Sequence, residues 1–418
     1  MSRYLISAVE QAIWSLLNFG VNLLLIRFVA PDQYGAFMLW ASCGFVLSSL
    51  QNALTVCHLQ ALAPGAGTDP KRLSVERLMH GVNILFLLVT GLSCLGAATM
   101  WGGAGSPYGA PAAALFVPAF LAQQYLRALA FSRGRPGVAT AQTTGVLVLV
   151  TLLLGEALMR GARLDANGIL WRLGLAYGVT AVFGAVWARR GQGGWLRRHE
   201  MKAYSEYLRQ SGWVFLGVSS TELLTRFYVF VVAGWFGAAM LASLSATQQL
   251  LRPVPLLAIS WSMVARNDLA RQRDREAWSD FRRVLALAVG AGILVAVAWT
   301  LTLHLAWPTI ATHLFGGKYL ADGWMVALWG LGAAVTLGQT VVSTGLQVLR
   351  VFKPLALANG AASLVAAGGV LLAMRGLGPA GAIIGTAAGQ LLELAAMTAI
   401  LLSITAARRR AAPREAEA

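Results

Sequence analysis

Charged side chains stand inside two long apolar stretches in the second half of this 418-residue sequence. Glu222 and Arg226 are four residues apart, so a helix would place both on one face. Arg252 directly precedes Pro253, and proline removes a backbone donor and kinks a helix. Because arginine stays charged and its planar fork binds phosphate through two hydrogen bonds, this pattern predicts an anion site. The alternative is that Glu222 and Arg226 merely neutralise each other.

Four further polar residues lie within apolar stretches and are candidates for the same site or for its energy supply. Arg27, near the end of the first stretch, is either a third cation of the site or a side chain that snorkels to headgroups. Asn18 and Asn22 offer amides to sugar hydroxyls, although hydrogen bonds between helices explain them equally well. Glu222 and Glu393 are the candidates for ion coupling, and for Glu393 a structural pairing with another helix is the alternative.

The sequence lacks the motifs of nucleotide-driven or metal-dependent chemistry. It contains no GxxxxGK[ST] loop, and its five histidines are scattered. Its three cysteines lie in apolar stretches, where small buried residues are the usual interpretation. We therefore predict no cofactor and no metal, with energy from an ion gradient, the membrane potential or a downhill lipid gradient. No loop on the outer side is long enough for a catalytic domain, so we expect a protein that is not an enzyme.

Twelve apolar segments must position these residues. The chain is 57% hydrophobic and 12% charged, and most segments approach the ~20 residues that a helix needs to cross ~30 Å of hydrocarbon. We predict an all-α integral membrane protein of twelve transmembrane helices. The segments span roughly 8–29, 36–61, 78–101, 111–132, 137–159, 168–188, 211–235, 241–265, 284–305, 323–346, 355–375 and 381–405.

The basic residues follow membrane sidedness. The net charge of +16 would suggest nucleic acid as a partner, but most of the 33 lysines and arginines lie in alternate loops and at both ends. This distribution predicts cytoplasmic termini and no nucleic-acid binding. Arg127, Arg226 and Arg252 lie inside segments instead. We expect Arg127, near an inner segment end, to snorkel to the cytoplasm, and Glu10 to reach water.

The two halves of the chain resemble each other. A basic residue followed by proline occurs at 135–136 and again at 353–354. Because each half has six segments, the repeat predicts two six-helix lobes in the same orientation around a central cavity. The linker, with Tyr204 and Tyr207 among basic residues, is either a helix on the inner leaflet or a solvated connection. The predicted domains are an N-terminal lobe 1–188, a cytoplasmic amphipathic linker 189–210, a C-terminal lobe 211–405 and a cytoplasmic tail 406–418.

Four stretches, in order along nearly the whole chain, carry a family resemblance. They are LIRFVAPDQYG at 25–35, LFGGKYLA at 314–321, KP at 353–354 and GLGPAGA from 376. Together they resemble the polysaccharide transporter family of the multidrug/oligosaccharidyl-lipid/polysaccharide flippase superfamily. The resemblance implies a bacterial inner-membrane flippase that works by alternating access.

What the resemblance implies about the substrate follows from that family. The cargo would be a polyprenyl-diphosphate-linked oligosaccharide, the repeat unit of an O-antigen, capsule or exopolysaccharide, carried from the inner to the outer leaflet. Helices one, two, seven and eight would line the cavity, which places Arg27, Arg226 and Arg252 there. Membrane lipids, a polysaccharide polymerase and assembly proteins would be its partners.

Three other classes of protein are weighed against this expectation. A multidrug and toxin extrusion-type cation antiporter shares the twelve-helix lobes, but its cavity should be acidic, whereas three arginines and one glutamate are expected here. A membrane-embedded polysaccharide polymerase or ligase would need a substantial outer loop. A peptidoglycan-precursor flippase is expected to have two further helices.

Overall fold

The computed structural model describes residues 2–61, 70–102, 106–188 and 198–415. Within these residues the chain forms helices and no β-strand. Eleven helices are long and apolar enough to cross a membrane, so the predicted all-α membrane fold is confirmed. The α-helices are α1 (Ser2–Phe28), α2 (Pro31–Gln51), α3 (Cys57–Gln60), α4 (Pro70–Trp101), α5 (Ala113–Ser132), α6 (Pro136–Met159), α7 (Ala166–Ala188), α8 (Arg198–Gln249), α9 (Pro253–Asp274), α10 (Trp278–Thr309), α11 (Gly323–Val348), α12 (Phe352–Leu377) and α13 (Ala380–Glu415).

The helices form two compact units. Unit 1 comprises Met1–Ser219 and Phe236–Ala242, and unit 2 comprises Ser220–Trp235 and Ser243–Ala418. The boundaries between these units therefore lie inside α8. The predicted domains, divided by a linker at 189–210, stay a prediction. Of that linker, residues 189–197 lie outside the described residues, and the remainder is the first part of α8.

The seventh and eighth predicted segments are arranged differently in the structure. α8 runs through 52 residues and is interrupted only by Gly237, at φ 80° and ψ 176°. Glycine adopts this positive φ without the steric cost of a Cβ, so no separate loop is needed. The eighth segment is then broken between Gln249 and Pro253, and α9 continues past the predicted end at 265 to Asp274. α9 is not among the eleven long apolar helices, because its last part is charged.

The segment Phe236–Ala242 packs within unit 1 against the first turn of α2. A Cβ built on Gly35 would lie 1.8 Å from the carbonyl oxygen of Ala238. No side chain larger than hydrogen fits this approach of two backbones. This contact gives a structural reason for the glycine at the end of LIRFVAPDQYG.

A buried ion pair ties α1 to α5 and α6, and it corrects two expectations. Glu10 does not reach water: it is 1% exposed and accepts hydrogen bonds from Arg127 Nε and Nη2, at 2.6 and 2.9 Å. Arg127 therefore does not snorkel, and its guanidinium also lies over the ring of Trp14. The Thr143 hydroxyl donates to the same carboxylate at 2.6 Å. Since these residues come from three helices, sequence spacing could not reveal them.

A second buried carboxylate joins helices of unit 1. Glu76 on α4 accepts from Arg72 Nε at 2.9 Å and from Arg133 Nη2, beyond the end of α5, at 2.7 Å. Nearby, the first turns of α8 pack on unit 1, where the Tyr204 hydroxyl donates to the Leu54 carbonyl at 2.9 Å. Neither interpretation of the linker included this contact. The described part of the linker is therefore a helix that packs within unit 1.

Within unit 2, α12 and α13 approach each other through glycines spaced four apart on α13. A Cβ at Gly381 would lie 2.3 Å from the backbone of Ala373, and one at Gly385 would lie 2.2 Å from the Val370 nitrogen. Gly389 is equally crowded, with Ala366 Cβ at 2.4 Å. Small residues are what allow helices to pack this closely in lipid.

We predict that Gly385→Ala lowers the stability of the protein by about 1–3 kcal/mol, because the added methyl overlaps the backbone of α12. The matched control is Gly368→Ala on α12, where a Cβ would meet nothing within 4 Å. The measurement is the midpoint of thermal unfolding in detergent. Equal midpoints for the two variants would contradict the close contact of α12 and α13.

Candidate functional site

Arg252 lies at the break between α8 and α9. The residue after it, Pro253, has no N–H to continue the helical hydrogen-bond ladder. The Trp299 indole N–H donates to the Leu250 carbonyl at 3.0 Å, which satisfies a backbone oxygen left by the break. The broken helix therefore gives Arg252 a defined position between two helical pieces, and its side chain is half-buried.

Tyr228 joins two parts of unit 2 through its hydroxyl. This hydroxyl donates to Gln248 Oε1 at 3.0 Å, and in the sequence Arg226 lies two residues before Tyr228 and Arg252 four residues after Gln248. The Tyr228 ring is 4% exposed, and its centroid lies 5.3 Å from that of Trp329 on α11. The structure thus unites the Tyr228 phenol with the Gln248 amide and the Trp329 ring in unit 2.

Glu222 and Arg226 form the local ion pair that their spacing predicts. Arg226 Nε lies 2.9 Å from Glu222 Oε2, and the two side chains are 29% and 16% exposed. The pair therefore neutralises one charge, as the alternative interpretation proposed. Arg252 is a further cation of the same unit, at the break between α8 and α9.

The remaining predicted residues of the anion site belong to unit 1. Arg27 is exposed at the end of α1, with its guanidinium carbon 5.7 Å from the Phe28 ring centroid. The Asn18 amide donates to the Trp14 carbonyl at 2.8 Å. Asn22 is buried, donates to the Asn18 carbonyl at 2.8 Å, and accepts from the Tyr34 hydroxyl at 3.0 Å. Asn22 thus links α1 to α2, and its role in sugar binding stays a prediction.

Glu393 is the centre of a polar cluster within unit 2. It is 8% exposed and accepts from Gln339 Nε2 at 2.7 Å and from Asn359 Nδ2 at 2.9 Å. Gln339 also donates to the Gln390 carbonyl at 2.9 Å. α11, α12 and α13 therefore meet at one carboxylate, as the structural alternative for Glu393 predicted.

We predict that Glu393→Ala lowers the free energy of unfolding by about 1–3 kcal/mol, because two buried amide donors lose their acceptor. Glu393→Gln should cost less, since its carbonyl still accepts one of these bonds. Glu156→Ala, at a side chain 41% exposed, is the control and should change stability by under about 0.5 kcal/mol. Unfolding midpoints in detergent test the order, and an unchanged midpoint for Glu393→Ala would contradict it.

Tyr228 is the member of the site that sequence reasoning missed. Its ring lies among apolar residues of α8, and buried packing is the usual role of a tyrosine there. A usable signal was available in the second helical piece. In the predicted eighth segment Gln248 and Arg252 are four residues apart, a spacing that an unbroken helix would place on one face. Such a polar face inside an apolar segment predicts a polar partner.

Among the described residues no group of three or more histidine, cysteine, aspartate or glutamate side chains could hold a metal ion. Cys43, Cys57 and Cys94 are free thiols. The chemistry that the site can offer is therefore ionic and hydrogen-bonding, through guanidinium, amide and phenol groups.

No protein-family model matches the sequence, and no curated protein matches it. Solved structures do. An inward-facing multidrug resistance MATE family transporter of the MOP superfamily aligns with a TM-score of 0.74 at 12% identity, covering 97% of this chain and 99% of the other. The lipid II flippase MurJ, in an inward closed conformation, aligns with a TM-score of 0.71 at 12% identity, covering 96% and 87%. The eukaryotic MATE transporter AtDTX14 aligns with a TM-score of 0.61 at 13% identity, covering 98% and 97%.

These likenesses concern the fold alone, because the identities are low. The chain shares its fold with MATE transporters and with the lipid II flippase MurJ. These neighbours are transporters rather than enzymes. The comparisons therefore support a multi-pass membrane protein whose fold is shared by known transporters.

Proposed function

We propose that this protein is a flippase that moves a polyprenyl-diphosphate-linked oligosaccharide from the inner to the outer leaflet of a bacterial cytoplasmic membrane. The single observation that carries the proposal is the presence of two half-buried arginines, Arg226 and Arg252, within unit 2, flanking the hydrogen-bonded pair Tyr228–Gln248 in the sequence. A diphosphate cannot cross hydrocarbon bare, because unpaired charge is costly there. Two fixed guanidinium groups offset that cost by forked hydrogen bonds.

The other groups of the site suit the rest of such a substrate. An amide such as that of Gln248 can bind sugar hydroxyls, and the buried Tyr228 hydroxyl holds this amide in place. The polyprenyl tail would stay in lipid, so only the headgroup needs a polar path. Arg27, Asn18 and Asn22 of unit 1 are proposed to contribute to the same path.

Sidedness and partners extend the proposal. Both termini are proposed to face the cytoplasm, on the basis of the loops rich in lysine and arginine. A polysaccharide polymerase that consumes the flipped repeat unit is the expected downstream partner.

We predict that Arg226→Ala and Arg252→Ala each lower flipping at least tenfold, the effect of losing about 1.4 kcal/mol of phosphate binding. Arg160→Ala is the matched control, because Arg160 forms an i,i+4 pair with Glu156 at the same 2.9 Å but is 77% exposed. The measurement is the appearance of a polyprenyl-diphosphate-linked oligosaccharide in the outer leaflet of proteoliposomes. Wild-type rates in either site variant, with the protein correctly folded, would refute that arginine's role.

A second candidate function is cation antiport, because the MATE transporters share the fold over nearly the whole chain. Its requirement is a carboxylate that exchanges ions. Glu222 has Arg226 beside it, whereas the bonds of Glu393 among the described residues come from two neutral amides. We therefore propose Glu393 ahead of Glu222 as the coupling group.

We predict that a proton or sodium gradient accelerates transport by the wild type and that Glu393→Gln removes this acceleration. Glu222→Gln, the matched variant, should keep it. The measurement is the transport rate in proteoliposomes with and without each gradient, using the lipid-linked oligosaccharide and an organic cation as alternative cargoes. Transport of the cation but not the lipid would establish the antiporter and refute the flippase.

A further inference from the structure

A groove of about 390 Å³ lies along one face of α9 in unit 2. Its lining includes Trp261, Val264, Asp268 and Arg271 of α9 and Arg275, the residue that follows the helix. These positions are three or four residues apart, so they form one continuous stripe of the helix. Val284 of α10 contributes to the opposite wall.

The stripe changes from apolar to charged along its length. Trp261 and Val264 line one end and Arg271 and Arg275 the other. At 1.5 Å per residue, Val264 and Arg271 are separated by roughly 10 Å along the axis. A phospholipid has the same order of groups, because its acyl chains lie in the hydrocarbon and its phosphate lies at the water interface.

The surface of α9 places this change at a membrane boundary. Leu257, Met263 and Val264 are large apolar residues that are 53%, 69% and 71% exposed, as lipid-facing side chains are. The first charged residue after them is Arg266. The charged end lies on the side that the loop charges assign to the cytoplasm.

The arginines of the groove differ from their neighbours in what they contact. Arg266 donates to Gln347 Oε1 at 3.1 Å, and Arg273 donates to the Val348 carbonyl at 2.7 Å, so both are tied to α11. Arg271 contacts the carboxylate of Asp268 on its own helix. For Arg275, no hydrogen bond or ion pair of the guanidinium is found among the residues the structure describes.

A neutral acceptor completes the groove. The Gln272 side chain lines it, and its Oε1 is shielded from solvent with no hydrogen-bond partner among the described residues. A buried acceptor of this kind calls for a donor. The hydroxyls of a glycerol headgroup would supply one beside the phosphate.

We propose that this groove binds the phosphate of an anionic phospholipid, with the phosphate on Arg271 and Arg275 and an acyl chain along Trp261 and Val264. The site is separate from the cluster at Arg226 and does not rest on the proposed function. Its chemistry, a phosphate beside hydrocarbon, is shared by polyprenyl diphosphate and in part by inorganic phosphate. Basic pockets at the cytoplasmic ends of membrane helices bind lipid headgroups in this way.

The test is native mass spectrometry of the full-length protein in detergent, titrated with dioleoylphosphatidylglycerol. Each arginine near a lipid surface contributes about 1 kcal/mol, or about fivefold in affinity. Arg271→Ala/Arg275→Ala should therefore weaken binding about twentyfold or more. Asp268→Asn should strengthen it several-fold by removing the competing carboxylate, a gain that misfolding cannot imitate. Arg266→Ala, an exposed arginine outside the groove, is the control and should leave this binding within about twofold.

Competing ligands distinguish the possible sources of the phosphate. Saturable binding of phosphatidylglycerol that millimolar inorganic phosphate does not displace would support the proposal. Displacement by inorganic phosphate alone, or preference for polyprenyl diphosphate over phosphatidylglycerol, would overturn the phospholipid assignment. Unchanged phosphatidylglycerol binding in both the double variant and Asp268→Asn would overturn the site itself.

Discussion

The structure depends on the cost of holding an ionised group away from water. That cost is several kcal/mol even after a protein relaxes around the charge. The buried carboxylates of the described residues, Glu10, Glu76 and Glu393, each accept hydrogen bonds from other helices. Since lipid tails are as apolar as leucine, apolar contact alone does little to choose helix neighbours in a membrane. Hydrogen bonds to buried carboxylates therefore determine which helices pack together and at what depth in the membrane.

The pair at the candidate site is of a different kind. Glu222 and Arg226 belong to the same helix, so their contact joins no helices. Arg252 stands at a helix break, and both arginines are only partly shielded. The buried carboxylates elsewhere accept hydrogen bonds that join helices, whereas the Glu222–Arg226 pair joins none. That contrast is the physical reason why we propose ligand binding near this pair.

The sequence allowed the crossing helices and the local pairs to be predicted, because hydropathy and i,i+4 spacing are local signals. The Glu222–Arg226 contact follows from such spacing. The partner of Glu10 lies 117 residues away, and no local pattern identifies it. The interruption of α8 at Gly237 was not predicted, because a glycine at positive φ can join two helices without a polar loop. The hydrogen bond between Tyr228 and Gln248 joins residues 20 apart across the interruption at Gly237, so it required the fold.

The placement of Phe236–Ala242 in unit 1 has a consequence for biosynthesis. Unit 1 receives this last piece only after the chain has passed Gly237, when part of unit 2 has already been made. The approach of Ala238 to Gly35 therefore forms late, across some two hundred residues of intervening chain. If the protein were made as two fragments divided within 189–210, Phe236–Ala242 would belong to the C-terminal fragment, although it packs in unit 1. The halves look like a duplicated module, but the first cannot be completed during translation until the second has begun.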